Sequence, residues 1–535
     1  MDIPYYNKTK MDCKGLRGRL FYAKMTSNMR GKDSDRFMKK EQLLLTKLIQ
    51  YGKTDMYPMH MPGHKRETEH SVLKDFPNPF TIDITEIEGF DNLHHPEDIL
   101  KASMEWAAQV YGADHTYYLV NGSSCGILSA VCGATVSGGR ILISRNCHKS
   151  VYHGVILNQL KVNYVYPQII PELGIQGGIS RESVEKALEE WQDVQAVLIV
   201  SPTYDGVVSK IREIAEAVHE RGIPLIVDEA HGAHFSFGED RGTGRDFPKS
   251  ALECGADVVI QSLHKTLPSL TQTAVLHVKG ERVNRHKLER YLQMFQSSSP
   301  SYVFMAGIEQ CIFEMAEHGR ENLRAFSARL ELLRSELRSM RNLKLLDHVE
   351  GRWNVYDLDR SKIVVSCRNC LIKNEDGSVE AMDGNRLSSW LRDVFHLEME
   401  MCGSDYVVAI LTCLDTEEGL KRLLQALMEI DAALVSASLS DRAQEPVWEW
   451  ELPRVRMKMA QAMEQDAVNM RLEECAGKVS AEFIYLYPPG IPIVAPGEEV
   501  TETIIEKVLT YRRMGLPVQG MEDPNAEYLM VLRGI

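Results

Sequence analysis

No stretch of the 535 residues approaches the run of roughly 18 apolar residues that a membrane span needs. The first residues lack the apolar core of a secretory signal, so no leader of that kind is expected. There are 11 cysteines, an odd and scattered set, which excludes a disulfide framework and suits a reducing cytoplasm. Cationic excess is missing too. The formal charge of −14 disfavours broad binding to nucleic acid or anionic membrane and weakly suits a cationic small molecule. No GxxxxGK[ST] loop occurs, so "DEAH" at 228–231 has no phosphate loop with which to build a helicase site. Cys367 and Cys370 form a single CxxC without a second pair or histidines at ligand spacing. No metal is expected there, only a loop with two thiols. No internal repeat is visible.

What is present is ordinary globular material, 44% hydrophobic and 25% charged, in a chain too long for one core. Residues 1–35 read as a basic, disordered extension. Residues 36–310 read as a large domain, 311–435 as a small α/β domain and 436–535 as a C-terminal α+β domain. "RFMKKEQLLLTKLIQY" (36–51) has helical apolar spacing. From 98 to 300, helices alternate with apolar runs at 116–120, 140–144, 163–167, 196–200, 224–228 and 257–261. Continuous apolar strands separated by helices predict an α/β fold with a parallel sheet covered on both faces. Ser180 is the expected N-cap of the helix in "SRESVEKALEEWQ".

Ligands of such sheets bind at the carboxyl ends of the strands. "NGSSCG" (121–126) follows one strand and opens a helix, which makes an anion cradle of free N–H groups and hydroxyls. His148 follows a second strand and Thr203 a third. Asp228, Ala230 and His231 follow a fourth, and Ser262, His264 and Lys265 a fifth. Singly, a strand-end lysine is usually solvated, and a lone histidine is usually a hydrogen-bonding core residue. Together, a phosphate cradle, an aspartate, a flat histidine and a lysine 37 residues after the aspartate fit pyridoxal 5′-phosphate.

At these residues the chain resembles the Orn/Lys/Arg decarboxylase family in its short form, within the aspartate-aminotransferase-like fold. The matching motifs are "MHMPGHKR" (59–66), "DITEIEGFDNLHHPEDIL" (83–100), "YLVNGSSCG" (118–126), "SRNCHKSVYHG" (144–154), "SPTYDGVVSKI" (201–211), "VDEAHGAHFSFG" (227–238), "QSLHKTLPSLTQTA" (261–274) and "AEFIYLYPPGIPIVAPGE" (481–498). The resemblance implies a large domain with a mostly parallel seven-stranded sheet between helices, followed by smaller α+β domains. It implies that Lys265 attaches the cofactor, Asp228 binds the pyridine nitrogen, His148 stacks on the ring and Ala230 packs on its other face. Ser123, Ser124, Ser262 and His264 would hold the phosphate, with Thr203 near the ring hydroxyl. His231, Glu86, Glu88 and Asp91 are candidates for contact with substrate. The implied reaction is decarboxylation of a basic amino acid in polyamine synthesis. Arginine to agmatine comes first, then lysine to cadaverine or ornithine to putrescine. The implied assembly is a homodimer, or a multiple of dimers, with shared active sites. An aminotransferase or another lyase on the same fold is the alternative.

Overall fold

The apolar runs become strands because valine and isoleucine pack well on a pleated surface with both faces covered. The computed structural model describes residues 44–67, 74, 76–238, 246–373, 378–436, 453–486 and 490–534. The expected basic extension over 1–35 lies outside them. Two units are distinguished, one up to Met56 and one from Tyr57 onward. In the first, residues 44–51 of the expected helix form α1 (Leu44–Tyr51).

The second unit is built on a seven-stranded sheet. Its strands are β1 (His115–Leu119), β2 (Arg140–Ser144), β3 (Lys161–Val165), β4 (Val194–Val200), β5 (Leu225–Asp228), β6 (Val258–Gln261) and β7 (Ala274–Val278). Their order is β1-β7-β6-β5-β4-β2-β3. All neighbours pair in parallel except β7, which runs antiparallel to both β6 and β1. The sequence pattern had no strand for β7, because it comes after a turn rather than a crossover helix. Residues alternate between two cores along each strand. Leu142, Val197, Ile199 and Val227 face one, and Ile141, Ile143, Leu198 and Ile226 face the other. Each such burial is worth about 1.5–3 kcal/mol.

Register fixes where the loops emerge. Val200 and Ile260 both pair with Asp228, so β4, β5 and β6 end level. Helices enter the sheet at α2 (Ile99–Tyr111), α3 (Gly122–Ala134), α4 (Lys149–Leu157) and α5 (Arg181–Glu190). The Ser180 hydroxyl caps α5 by accepting the Ser183 N–H at 3.1 Å. A four-stranded antiparallel sheet of β8 (Lys344–Leu345), β9 (Lys362–Ser366), β10 (Met401–Cys402) and β11 (Tyr406–Ile410) follows the long helix Tyr302–Leu337. Residues 453–534 add small sheets and the helix Glu502–Arg513 over a core of their own. In the CxxC, the Cys367 and Cys370 thiols donate to the Asp405 and Asn342 carbonyls. No cluster of three or more metal-ligating side chains occurs among the described residues. No helix there is long and apolar enough to cross a membrane.

A buried charge cluster joins the small sheet to the large one. Asp359 accepts from Lys362 Nζ at 2.8 Å and lies 3.2 Å from His234 Nε2. Lys362 Nζ also reaches the His231 carbonyl at 3.4 Å. Burial alone would raise the Asp359 pKa, but Lys362 and His234 hold it far below the usual carboxylate range. Because the folded-state pKa is depressed, the stabilisation is complete above an unfolded value of about 3.9 and is lost as pH falls below it. Asp359→Ala should therefore cost about 3–5 kcal/mol. Melting curves should show a lower Tm at neutral pH and a shallower decline of Tm on acidification than in the parent. Equal curves would contradict the role.

Candidate active site

β6 ends at Gln261, and Lys265 sits in the single turn Leu263–Thr266 directly after it. Its Nζ lies 2.9 Å from His231 Nε2. Burial lowers the Lys265 pKa, opposed by the charges of Asp228 and Glu400 and assisted by Lys362. Burial and the Lys265 charge likewise push His231 well below the ordinary histidine value. The imidazole is thus neutral. Nε2 and Nζ share a hydrogen bond, and Nδ1 is buried without a partner among the described residues.

Asp228 terminates β5. It is buried, and its Oδ1 accepts the Ala230 N–H at 3.1 Å. Burial raises its pKa and the Lys265 charge opposes this. No cation stands within ion-pair distance of it among the described residues. Its neighbour Glu229 serves structure instead. It accepts from Ser250, the Ala251 N–H and Gln261, and burial pushes it up to about 8.

His148 is the N-cap of α4. Its Nδ1 accepts the Ser150 N–H at 3.2 Å, which leaves the proton on Nε2. Burial, then the Lys265 charge, lowers its pKa to about 3, so this ring is flat, neutral and fixed. At the phosphate end, Ser123 and Ser262 are buried with their hydroxyls 2.5 Å apart. Asn121 leaves the first turn of α3 without a side-chain cap, so those N–H groups remain available. Ser124 is exposed at the same turn. His264 donates from Nδ1 to the Thr273 carbonyl at 2.9 Å, and burial lowers it to about 4. The buried Thr266 hydroxyl has no partner among the described residues.

The structure thus brings Lys265, His231, Asp228, Ala230 and His148 to one end of the sheet, beside Ser123, Ser262 and His264. Thr203 is buried there, but its hydroxyl accepts the Val207 N–H at 3.1 Å and closes a turn. Asp91 already has a structural task. Its carboxylate accepts the N–H groups of Asn92, Glu97, Asp98 and Leu100 and organises the start of α2. Glu88 is exposed, while Glu86 keeps one buried oxygen without a partner among the described residues. Glu400 went unnoticed in the sequence. It accepts the Met61 N–H at 2.8 Å and the Tyr204 hydroxyl, and the Tyr204 ring packs 4.4 Å from that of His231. Only the fold brings Met61, Tyr204 and Glu400 together, so no local pattern marks it.

These groups fit pyridoxal 5′-phosphate. A buried carboxylate without a cation suits a protonated pyridine nitrogen. An uncapped helix start with two buried hydroxyls suits a dianion. The desolvated lysine amine stands at the same end of the sheet.

Comparison with known proteins points to one family. The profile of the Orn/Lys/Arg decarboxylase major domain matches residues 43–413, and that of the C-terminal domain matches 442–520. An arginine decarboxylase of Halalkalibacterium halodurans is 32% identical, covering 92% of this chain and 97% of its own. One of Bacillus subtilis is 31% identical, covering 92% and 98%. The lysine decarboxylase of Hafnia alvei is 25% identical over 86% of this chain and 72% of its own. Among solved structures, the Francisella novicida lysine decarboxylase superposes with a TM-score of 0.67 at 19% identity, covering 91% of this chain and 80% of that one. Asp228→Asn keeps the side-chain volume and removes the charge. Titration should show pyridoxal phosphate bound roughly tenfold or more weakly; unchanged affinity would remove Asp228 from the site.

Proposed function

Since this chain belongs to the Orn/Lys/Arg decarboxylase family, we propose that it converts arginine to agmatine with pyridoxal 5′-phosphate, as a step in polyamine synthesis. The observation that carries the chemistry is the desolvated Lys265 amine, hydrogen-bonded to a neutral His231 at 2.9 Å and, among the described residues, not ion-paired with any carboxylate. The choice of substrate rests on the relatives. Those named arginine decarboxylase are 31–32% identical over nearly their whole length, whereas the lysine decarboxylase of Hafnia alvei is 25% identical. Lysine and ornithine come next.

When bound, the cofactor supplies an electron sink for a bond breaking at the substrate α-carbon. The protein does the rest. Asp228 keeps a positive charge on the ring nitrogen by offering a carboxylate with no other cation to serve. His148 presents a flat neutral face, and Ala230 leaves room on the opposite one. Ser123, Ser262, His264 and the first turn of α3 hold the phosphate. Lys265, whose neutral amine is favoured by burial, would attach the cofactor and yield that place to the substrate amine. Afterwards it can return a proton to the α-carbon, with His231 within reach to receive or resupply it.

A homodimer with shared sites belongs to this reading. Ile87 and Phe90 are exposed apolar side chains in the same loop as Glu86, as expected where a second copy packs and completes the pocket. A reducing cytoplasm is supported by ten described cysteines that are all unpaired. Incubation with arginine, lysine and ornithine together tests the assignment. Agmatine and CO₂ should dominate, without need for a keto acid. Cadaverine or putrescine as main product would move the substrate, and amine transfer that requires a keto acid would overturn decarboxylation.

A further inference from the structure

We propose that Glu498, in the C-terminal region, is a positioning residue for the active site. Through Arg145 it fixes the short loop that presents His148. The proposal rests on the decarboxylase reading for its kinetic readout alone.

Arg145 immediately follows β2, three residues before His148. Its guanidinium is gripped by both Glu498 oxygens, Nη1 to Oε1 at 2.6 Å and Nη2 to Oε2 at 2.9 Å. Nη2 also donates to the Ile493 carbonyl at 3.1 Å. Both side chains are only 1% exposed. Glu498 is itself fixed, because its Oε2 accepts the Ala495 N–H at 2.9 Å. The guanidinium lies 4.6 Å from the centre of the Tyr164 ring, and the Arg145 carbonyl accepts the Tyr152 hydroxyl at 2.7 Å.

Two further contacts come from the same C-terminal stretch and fall on the helix that His148 caps. Phe483 meets the Tyr152 ring edge-on at 6.1 Å, and Lys149 Nζ lies 5.2 Å from the centre of the Tyr485 ring. Residues 145, 149 and 152 bracket His148 on both sides, and each is held by Phe483, Tyr485 or Glu498. β2 and α4 fix the ends of this segment from within the large sheet. The corner between them is held from outside, by a charge pair that solvent does not reach.

A buried guanidinium without its carboxylate is strongly unfavourable, so Arg145 would seek water and draw the 145–148 corner with it. His148 would then lose the fixed angle at which it backs the cofactor ring. A mere structural staple would lower stability everywhere and leave the cofactor site as it was. A suitable control for that alternative is the ion pair Arg334–Asp347 beside β8, at 3.0 Å with side chains 1% and 6% exposed, whose contacts include the Lys362 carbonyl but, among the described residues, none of those assigned to the cofactor.

The test uses the full chain and three readouts: amide hydrogen exchange of the 144–150 segment without cofactor, the dissociation constant for pyridoxal phosphate, and kcat with arginine. Glu498→Gln should speed exchange in 144–150, weaken pyridoxal phosphate roughly tenfold or more, and lower kcat more than it raises KM. Asp347→Asn should lower Tm without changing cofactor affinity. If Glu498→Gln does not fold, the double variant Arg145→Met/Glu498→Met, which leaves no unpaired charge, should fold and still bind cofactor weakly. The proposal is overturned if the folded variant binds cofactor and exchanges at 144–150 like the parent, or if Asp347→Asn weakens the cofactor equally. A parent protein that releases no CO₂ from any basic amino acid would sink the decarboxylase reading. Exchange and affinity would still decide the role of Glu498.

Discussion

A lysine that must act as a nucleophile has to lose its proton without losing its place, and the large domain is arranged around that demand. Lys265 is withdrawn from water at the end of β6, which favours the neutral amine. A neutral histidine, not a carboxylate, is its hydrogen-bond partner. Asp228 lies close enough to be felt but outside ion-pair distance. An ion pair would hold the amine as ammonium. The level ends of β4, β5 and β6 set this spacing, so the parallel register is itself part of the chemistry.

Around that centre, charges are buried in pairs that tie other segments to the sheet. Lys362 and Asp359 anchor the small sheet beneath His231. Lys65, in the "MPGHK" loop, donates to the carbonyls of Pro58, His60 and Ile410 and lies 3.6 Å from Asp415. The adjacent Gly63 sits so close to the Lys265 turn that a Cβ there would come within 2.7 Å of the Leu267 carbonyl oxygen. Each of these lysines has a carboxylate partner, whereas Lys265 has none among the described residues. The contrast separates structural lysines from the reactive one.

Much of this was legible in the chain. Residues that sit just past an apolar run could be read from sequence order alone, because a parallel sheet gathers its strand ends into one cluster in space. The helix start at Gly122–Ser123 and the Ser180 cap were equally local and equally visible. What stayed hidden depends on distant segments meeting. β7 lacked a crossover signal, Glu400 is brought to Tyr204 across 196 residues, and Arg145 to Glu498 across 353. Asp91 shows the reverse limit. An acidic loop residue suggests a cationic ligand, but only coordinates reveal four backbone donors already claiming it.

The most direct measurement concerns which lysine carries the cofactor. Protein loaded with pyridoxal phosphate, reduced with borohydride and digested, should yield the pyridoxyl mass on the peptide containing Lys265 and nowhere else in quantity. Modification at Lys362 or Lys65 instead, or none after saturation with cofactor, would contradict the account of an unpaired, desolvated amine at the end of β6.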